Sequence, residues 1–549
     1  MRSSIKIGNS NYQPPHTKVN GNYVTLLGER YYCIENYDQM PPFFMSVVSS
    51  TDHWMFISST GGLTAGRKNA ESAIFPYETD DKITESSQNT GPLSIFLVTR
   101  GGLTSLWEPF SDRYTGLYDI ERKMYKNVSG NKLIFEESNI DLGLTYRRSW
   151  RTSDRFGFIL TMWLHNQFSD PVHIKLLCGV QNILPFGVTT LLQSNFSNLL
   201  NAYKRSELET ESGLGIFSLS STLTDLAEPS ESLKASTVSQ VGLECPVHLL
   251  SSMQVDDFRK GAEITNETDI RGLRGAYLLN TSITIAGNEK TDWSIVLDVD
   301  QDSADIAARV NMLKRPAIEI AAEIETDIAL GSQALNAIIA SADGLQVSGD
   351  RLCSAHHYAN VLFNTMRGGI FAHNYQVGKA DLIDFLHTRN RTVLERQTAF
   401  LDELPAKFNI ADLLARASKS GDPNLERLCF EYLPLTFSRR HGDPSRPWNK
   451  FSINLKKADG SQRLDYQGNW RDLFQNWEAL ACSYPEYVES MISAFINAGT
   501  PDGYNPYRIS REGVEWETPE PENPWANIGY WSDHQIIYLE KLLEISSRY

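Results

Sequence analysis

Basic stretches, paired cysteines and long apolar runs are all scarce in this chain, and each lack removes a class of function. Asp and Glu number 67 against 51 Lys and Arg, a formal net charge of −16, and nothing forms a basic stripe. That argues against a nucleic-acid or anionic-membrane partner and suits a neutral substrate. No run approaches the length of a transmembrane helix, so no membrane role is expected. The opening segment, MRSSIKIGNSNYQPPHTKVNGNYVTLL, has no apolar signal region and no cleavage-like site, so a cytoplasmic protein is expected. The six cysteines (Cys33, Cys178, Cys245, Cys353, Cys429, Cys482) are scattered without CxxC spacing. They read as buried thiols in a reducing compartment, neither a disulfide framework nor a metal site. His356 and His357 point about 100° apart on a helix with no acid or Cys at i+4, so no metal is expected there either. GGLTAGR (61–67) lacks the GK[ST] ending of a phosphate loop and sits among strands, so it reads as a Gly-rich β-turn. There is no internal repeat and no low-complexity tract.

What is present is an ordinary globular composition, 41% hydrophobic and 21% charged, over 549 residues, enough for more than one domain. From about Cys33 to Asp300 the hydrophobic period is two. TYRRSW, GFILTMWLHN, HIKLLCGVQNIL, AYLLNTSITIAG and WSIVLDVD read as strands broken by Gly, Asp, Asn and Ser turns. Phe158, Leu160, Met162 and Leu164 fall on one face, as do Trp293, Ile295, Leu297 and Val299, with Ser294, Asp298 and Asp300 opposite. These runs predict a large antiparallel β-sandwich over residues 1–300. Pro185 to Pro246 is poorer in pattern and reads as strands with long loops.

The period changes at Ser303, taken as the cap of a helix, and Pro316 suits the first turn of a second. Residues 301–345 therefore read as a helical linker and residues 346–549 as an α-domain. After Pro485, Val488, Met491, Ile492, Phe495 and Ile496 form one stripe, with Gly499 at the C-cap. The last helix opens with Ser532 and Gln535 in capping-box spacing and runs through Ile536, Leu539 and Leu543. Residues 303–549 supply about eight to ten helices, whereas a closed toroid of six helix pairs needs roughly 350–450 residues. Either the α-domain is a smaller bundle or the sequence is a fragment; the fragment is the expectation.

Within the α-domain the stretch Tyr466 to Tyr530 stands out. Polar forks (Arg471, Asp472, Gln475, Asn476, Asn505, Arg508) alternate with Trp470, Trp477, Tyr504, Tyr507, Trp516, Trp525, Tyr530 and Trp531. Aromatic faces beside bidentate hydrogen-bonding groups are what a sugar cleft needs. The same residues also fit a Trp-rich core with a surface loop. The length of the segment 499–531 favours the functional reading, because so long a connection is functional or disordered, and one this aromatic is a poor candidate for disorder.

Two blocks resemble the glycoside phosphorylases of glycoside hydrolase family 94, of the cellobiose phosphorylase type. Residues 42–77, PFFMSVVSSTDHWMFISSTGGLTAGRKNAESAIFPY, are similar to that family's opening segment. NWRDLFQNWEALACSYPEYVESMISAFINAGTPDGYNPY is similar to its stretch with an aromatic-Arg-Asp-x-x-Gln core, two helices, a DG turn and a Tyr-rich loop. The resemblance implies a β-sandwich, a helical linker and part of an (α/α)6 toroid. It also implies that Arg471, Asp472 and Gln475 grip the non-reducing-end glucosyl unit, with Trp470 and Tyr507 completing the expected substrate-binding set. Asn476 departs from the family, which has an acid there. The family's general acid lies in a Trp-Asn-Asp motif downstream. Here the only Trp-Asn, Trp448-Asn449, is followed by Lys450 and lies upstream, so the catalytic acid is expected beyond Tyr549.

The implied reaction is phosphorolysis of β-linked glucosides with inversion. One carboxylic acid protonates the glycosidic oxygen and phosphate attacks the opposite face. The expected partners are an oligosaccharide or glucan and inorganic phosphate as co-substrate, with no cofactor. The oligomeric state stays open, a homodimer included. An inverting hydrolase of the glucoamylase or debranching type is the alternative, needing two carboxylates about 6.5–9.5 Å apart. Asp472, Glu478, Asp502, Glu515, Glu517 and Asp533 are the carboxylates in range. Asp472 also suits a first-turn acid favoured by the helix dipole, and Asp533 a capping-box acid. A non-catalytic glucan-binding protein is the third reading. Arg439, Arg440, His441, Arg446 and Lys450 could hold an anion, or form a solvated loop paired with Asp443.

Overall fold

The computed structural model describes residues 5–224, 227, 230–244, 246–439, 442–447, 451–516, 530–531 and 535–549. The chain divides into two compact units, Met1–Gln333 with Asp443–Pro447, and Ala334–Gly442 with Trp448–Tyr549. The division falls inside the helix Ala317–Ser341. Asp443–Pro447, expected in the α-domain, groups with the first unit, where Pro444 O accepts from Asp80 N at 3.3 Å.

The first unit is built on antiparallel sheets of eleven, five and four strands. Alternation decides which side chains go inside. Phe158, Leu160, Met162 and Leu164 of Gly157–Asn166 are fully buried, as are Trp293, Ile295, Leu297 and Val299 of Lys290–Gln301. They meet Ile57 of the four-stranded sheet and Phe96 and Leu176 of the five-stranded one in a single core. The opposite face is not all solvent. Ile159 and Val296 are covered by Ile320, Ile324 and Ile328 of the helix that begins at Ala317. Asp298 is 2% exposed and ion-paired with Arg309 at 2.5 Å and Arg67 at 3.4 Å. The GGLTAGR segment is a turn into a strand, with Gly61 at φ +94° and Leu63–Arg67 paired to His53–Ser58.

Several local expectations are corrected. Pro185–Pro246 holds a helix, Thr190–Tyr203, whose cap is Thr189; its Ser and Asn content and a non-helical Phe196 hide the period. Asp302, not Ser303, caps the first linker helix, in a capping box with Asp305. In Val488–Ala498 the buried face is Val488, Ser490, Met491, Ala494 and Phe495, while Ile496 is 58% exposed. Gln535 is the N-cap of Ile536–Arg548 but its side chain makes no capping bond, Ser532 lies outside the described residues, and Leu542 is the buried residue, whereas Ile536 and Leu543 are exposed. Cys33, Cys178 and Cys429 are buried free thiols, but Cys353 and Cys482 are exposed; Cys245 lies outside the described residues.

The second unit is mainly helical. Arg351–Gly368 packs against Trp470–Ser483, whose Trp470, Leu473, Phe474, Trp477, Leu480 and Ala481 recur at helical spacing and are all buried. The stretch 381–404, which has one helical pattern, folds as three short helices broken at Asn390 and Gln397. Part of the expected loop 499–531 is strand: Arg508–Ser510 pairs with both Gln467–Asn469 and Gly513–Glu515.

Candidate active site in the helical unit

The tryptophans of the 466–531 stretch separate into two roles. Trp470 is 0% exposed, wedged against Phe474 and Phe495 with ring centres 4.7 Å away in both cases. Trp477 is equally buried, and its Nε1 donates to Gly368 O at 2.9 Å. A Cβ on Gly368 would stand 3.1 Å from that indole, closer than ordinary van der Waals contact. These rings are core and offer no free face to a sugar. Trp516, by contrast, is 36% exposed and lines a cavity of about 340 Å³.

That cavity is built from two stretches far apart in sequence. Arg389 ends the helix Lys379–Arg389, and Arg427 and Glu431 sit on Pro423–Glu431. Tyr466, Asn497 and Trp516 also line it. Glu431 is 4% exposed; Arg389 Nη2 donates to one oxygen at 2.5 Å and Arg427 Nη1 to the other at 2.7 Å. A buried carboxylate held by two guanidinium groups fixes both forks, and each fork keeps further N–H donors. Burial pushes the Tyr466 phenol up to about 12, with Arg389 acting against it, so the hydroxyl stays neutral at ordinary pH. Behind Tyr466, Arg511 N donates to its carbonyl at 3.0 Å, and the Arg511 side chain grips Asp381 at 2.9 Å, which also accepts from Tyr432 Oη at 2.6 Å. Asp465, next to Tyr466, is held above the usual carboxylate range by burial, with Arg463 opposing.

The sequence-derived residues fall as follows. Arg471 and Gln475 are exposed on Trp470–Ser483, one turn apart, and Asp472 is half-buried in its first turn. Asn476 is 6% exposed and donates to Asn364 Oδ1 at 3.1 Å, a helix–helix contact. Tyr507 is half-buried, and its backbone O accepts from Trp470 N at 3.0 Å. Arg508 donates to Gln467 Oε1 at 3.2 Å and is paired with Glu515. Glu478 is paired with Lys541 at 3.2 Å, and Asp502 is exposed. Glu517, Trp525, Asp533, Arg440, His441 and Trp448–Lys450 lie outside the described residues, and of Trp531 and Tyr530 only the backbone is described. In the 438–454 loop, Ser445 N donates to Asp443 at 2.9 Å. His357 Nε2 meets Asp343 O at 2.8 Å, and among the described residues no cluster of three His, Cys, Asp or Glu could hold a metal. Among them, too, no helix is long and apolar enough to cross a membrane.

Arg389, Arg427 and Glu431 are not marked by any motif. The only sequence signal is a Glu closing an amphipathic helix beside a basic residue at i−4.

Comparison with known proteins bears on the same segment. The family model for glycoside hydrolase family 149 insertion domain 1 matches residues 371–434, which include Arg389, Arg427 and Glu431. Among solved structures, a bacterial glucoamylase complexed with acarbose is 9% identical with a TM-score of 0.35, over 93% of this chain and 67% of that one. A candidate kojibiose phosphorylase from the human microbiome is 8% identical with a TM-score of 0.27, over 83% of this chain and 43% of that one. Among curated proteins no match is found.

Proposed function

We propose that the chain belongs to a carbohydrate-active enzyme of glycoside hydrolase or phosphorylase type, acting on β-linked glucosides by inverting phosphorolysis. The observation that carries this is the cavity lined by the half-exposed Trp516 and by Arg389 and Arg427, whose guanidinium groups are both held by the buried Glu431. An aromatic face takes the apolar side of a pyranose while fixed guanidinium forks bridge vicinal hydroxyls, the division of labour a sugar subsite requires. The insertion-domain match over the segment that supplies the arginines supports the same class.

In this reading Arg471, Asp472, Gln475 and Tyr507 contact the non-reducing-end glucosyl unit, as the family 94 resemblance implies; none of them lines the Trp516 cavity, which would hold another sugar unit. The helices of this unit contribute to an (α/α)6 toroid around an inserted segment. Inorganic phosphate is the co-substrate and no cofactor is required. A cytoplasmic location belongs to the same proposal, and the oligomeric state stays open, a homodimer included. Phosphorolysis needs one proton donor and no second carboxylate as base, because phosphate is itself the nucleophile.

The test is an assay of the protein expressed from its gene in full, with a panel of β-linked glucose disaccharides, with and without phosphate. Release of glucose 1-phosphate that depends on phosphate supports phosphorolysis. Release of free glucose at the same rate without phosphate contradicts it and marks a hydrolase, an inverting one if the glucose first released from the β-linkage is the α-anomer. Binding without turnover marks a glucan-binding protein.

A further inference from the structure

The outer face of the eleven-stranded sheet carries a cavity that the proposed function does not use. At one end this face is closed by Ile320, Ile324 and Ile328 over Ile159 and Val296. Toward the other end it opens into a cavity of about 550 Å³, within the range of small-ligand sites. Period-two alternation puts the core residues Phe135, Tyr146 and Met162 inward and sends Glu136, Arg147 and Trp163 out. The register then sets these outward residues in rows. Lys123 stands opposite Glu136, Glu136 opposite Arg147 and Arg147 opposite Trp163. The next row runs Ser138, Thr145, His165, with Thr145 Oγ1 in hydrogen-bond contact with Ser138 Oγ at 2.8 Å and accepting from Gln167 Nε2 at 2.7 Å.

Three features restrict the ligand. The carboxylates Glu121, Glu136 and Glu289 are matched in number by Lys123, Arg147 and Lys290, so the cavity has no net charge to favour an ion. Glu136 is 5% exposed and fixed by both Arg147 and Tyr125 Oη (3.1 Å), so the row is preorganised, not a set of loose surface chains. Trp163 and His165, both half-buried, present flat rings between these polar groups. A neutral, rigid, hydroxyl-rich molecule with apolar ring faces fits this mixture; beside Trp163 an added strand finds no partner, since Gly157–Asn166 is paired on both sides, and the sheet's edge strand, Asn20–Leu26, reaches the cavity only through Leu26. We infer that this sheet face binds a neutral oligosaccharide, with Trp163 as the stacking platform and Arg147, Lys123 and Gln167 as hydroxyl partners. It would hold a glucan chain at a second site, independently of the helical unit's cavity and of the reaction proposed for it.

The probes are laminarihexaose, cellohexaose, maltohexaose and, as an anionic control, a hexameric oligogalacturonate, titrated calorimetrically. The measurements are made in the Trp516→Ala protein, so that failure here is distinguishable from failure of the cavity in the helical unit. At least one neutral hexasaccharide should bind; adding Trp163→Ala should weaken it roughly tenfold or more, and Gln167→Ala about threefold. Should Trp163→Ala not fold, two other variants decide the matter: Trp163→Phe, which keeps a platform and should retain binding, and the exposed Gln167→Ala, which should weaken it. No binding of any neutral hexasaccharide, binding indifferent to both Trp163 and Gln167, or preference for the oligogalacturonate would overturn the inference.

Discussion

Arg389 and Glu431, 42 residues apart in the chain, are joined by a hydrogen bond of 2.5 Å at the wall of a cavity, with Arg427 holding the second carboxylate oxygen at 2.7 Å. Glu431→Ala releases both guanidinium groups. Since a hydrogen bond to a charged group contributes about 1.5–3 kcal/mol, a loss of that order is expected in urea unfolding. Arg427→Ala, whose side chain is 41% exposed, should cost well under half as much. Equal costs for the two variants would show that the carboxylate is not the hub.

Trp470 and Trp516 lie in the same aromatic stretch yet should respond oppositely to truncation. Trp470→Ala removes a fully buried ring and should destabilise by about 3–5 kcal/mol. Trp516→Ala should stay within about 0.5 kcal/mol of the parent. Thermal and urea unfolding of the two variants settle this; a stability loss at Trp516 matching that at Trp470 contradicts the division into core and site.

Lys204 is 8% exposed, and burial, with Arg274 adding to it, brings its ammonium down to about 8. A base whose folded value lies below its unfolded one penalises the fold while charged. That penalty is fully present below pH 8 and fades as pH rises toward about 10.5. Lys204→Met should therefore be the more stable protein at pH 7, by about 2–3 kcal/mol. The gap should narrow steadily between pH 8 and 10. A gap independent of pH would show that the ammonium is not the cause.

Cys482 and Cys353 should be alkylated first in the native protein, and Cys33, Cys178 and Cys429 only on unfolding. Cys353 should lag Cys482, because its thiol is hydrogen-bonded to Asp350 at 3.2 Å and held above the ordinary value by that carboxylate. Peptide mass mapping after timed labelling reads this order. A native disulfide involving any of the five contradicts the reading of free thiols.

Strands were the most legible part of the sequence, because alternation along a ten-residue run leaves little ambiguity, as in Gly157–Asn166. Thr190–Tyr203 was not legible: Ser and Asn compete with the helical backbone for hydrogen bonds, and its fold depends on what it packs against. At the site, composition could locate the aromatic stretch but could not tell Trp470 and Trp477, which fill a core, from Trp516, which faces a cavity. All three sit among polar neighbours, and burial is set by the partner helix Arg351–Gly368 and by Phe495, distant in sequence. The arginines lay further out of reach, since Arg389 and Glu431 meet only after three short helices fold between them.

The most direct measurement is a crystal structure of the protein soaked with a β-linked glucose disaccharide, paired with calorimetric titration of the same sugar into the parent, Arg389→Met and Trp516→Ala proteins. The expected result is a pyranose ring stacked on Trp516 with hydroxyls bridged by Arg389 or Arg427, and binding weakened roughly tenfold or more in both variants. Sugar density elsewhere in the helical unit, with both variants binding as the parent does, would contradict the assignment of this cavity.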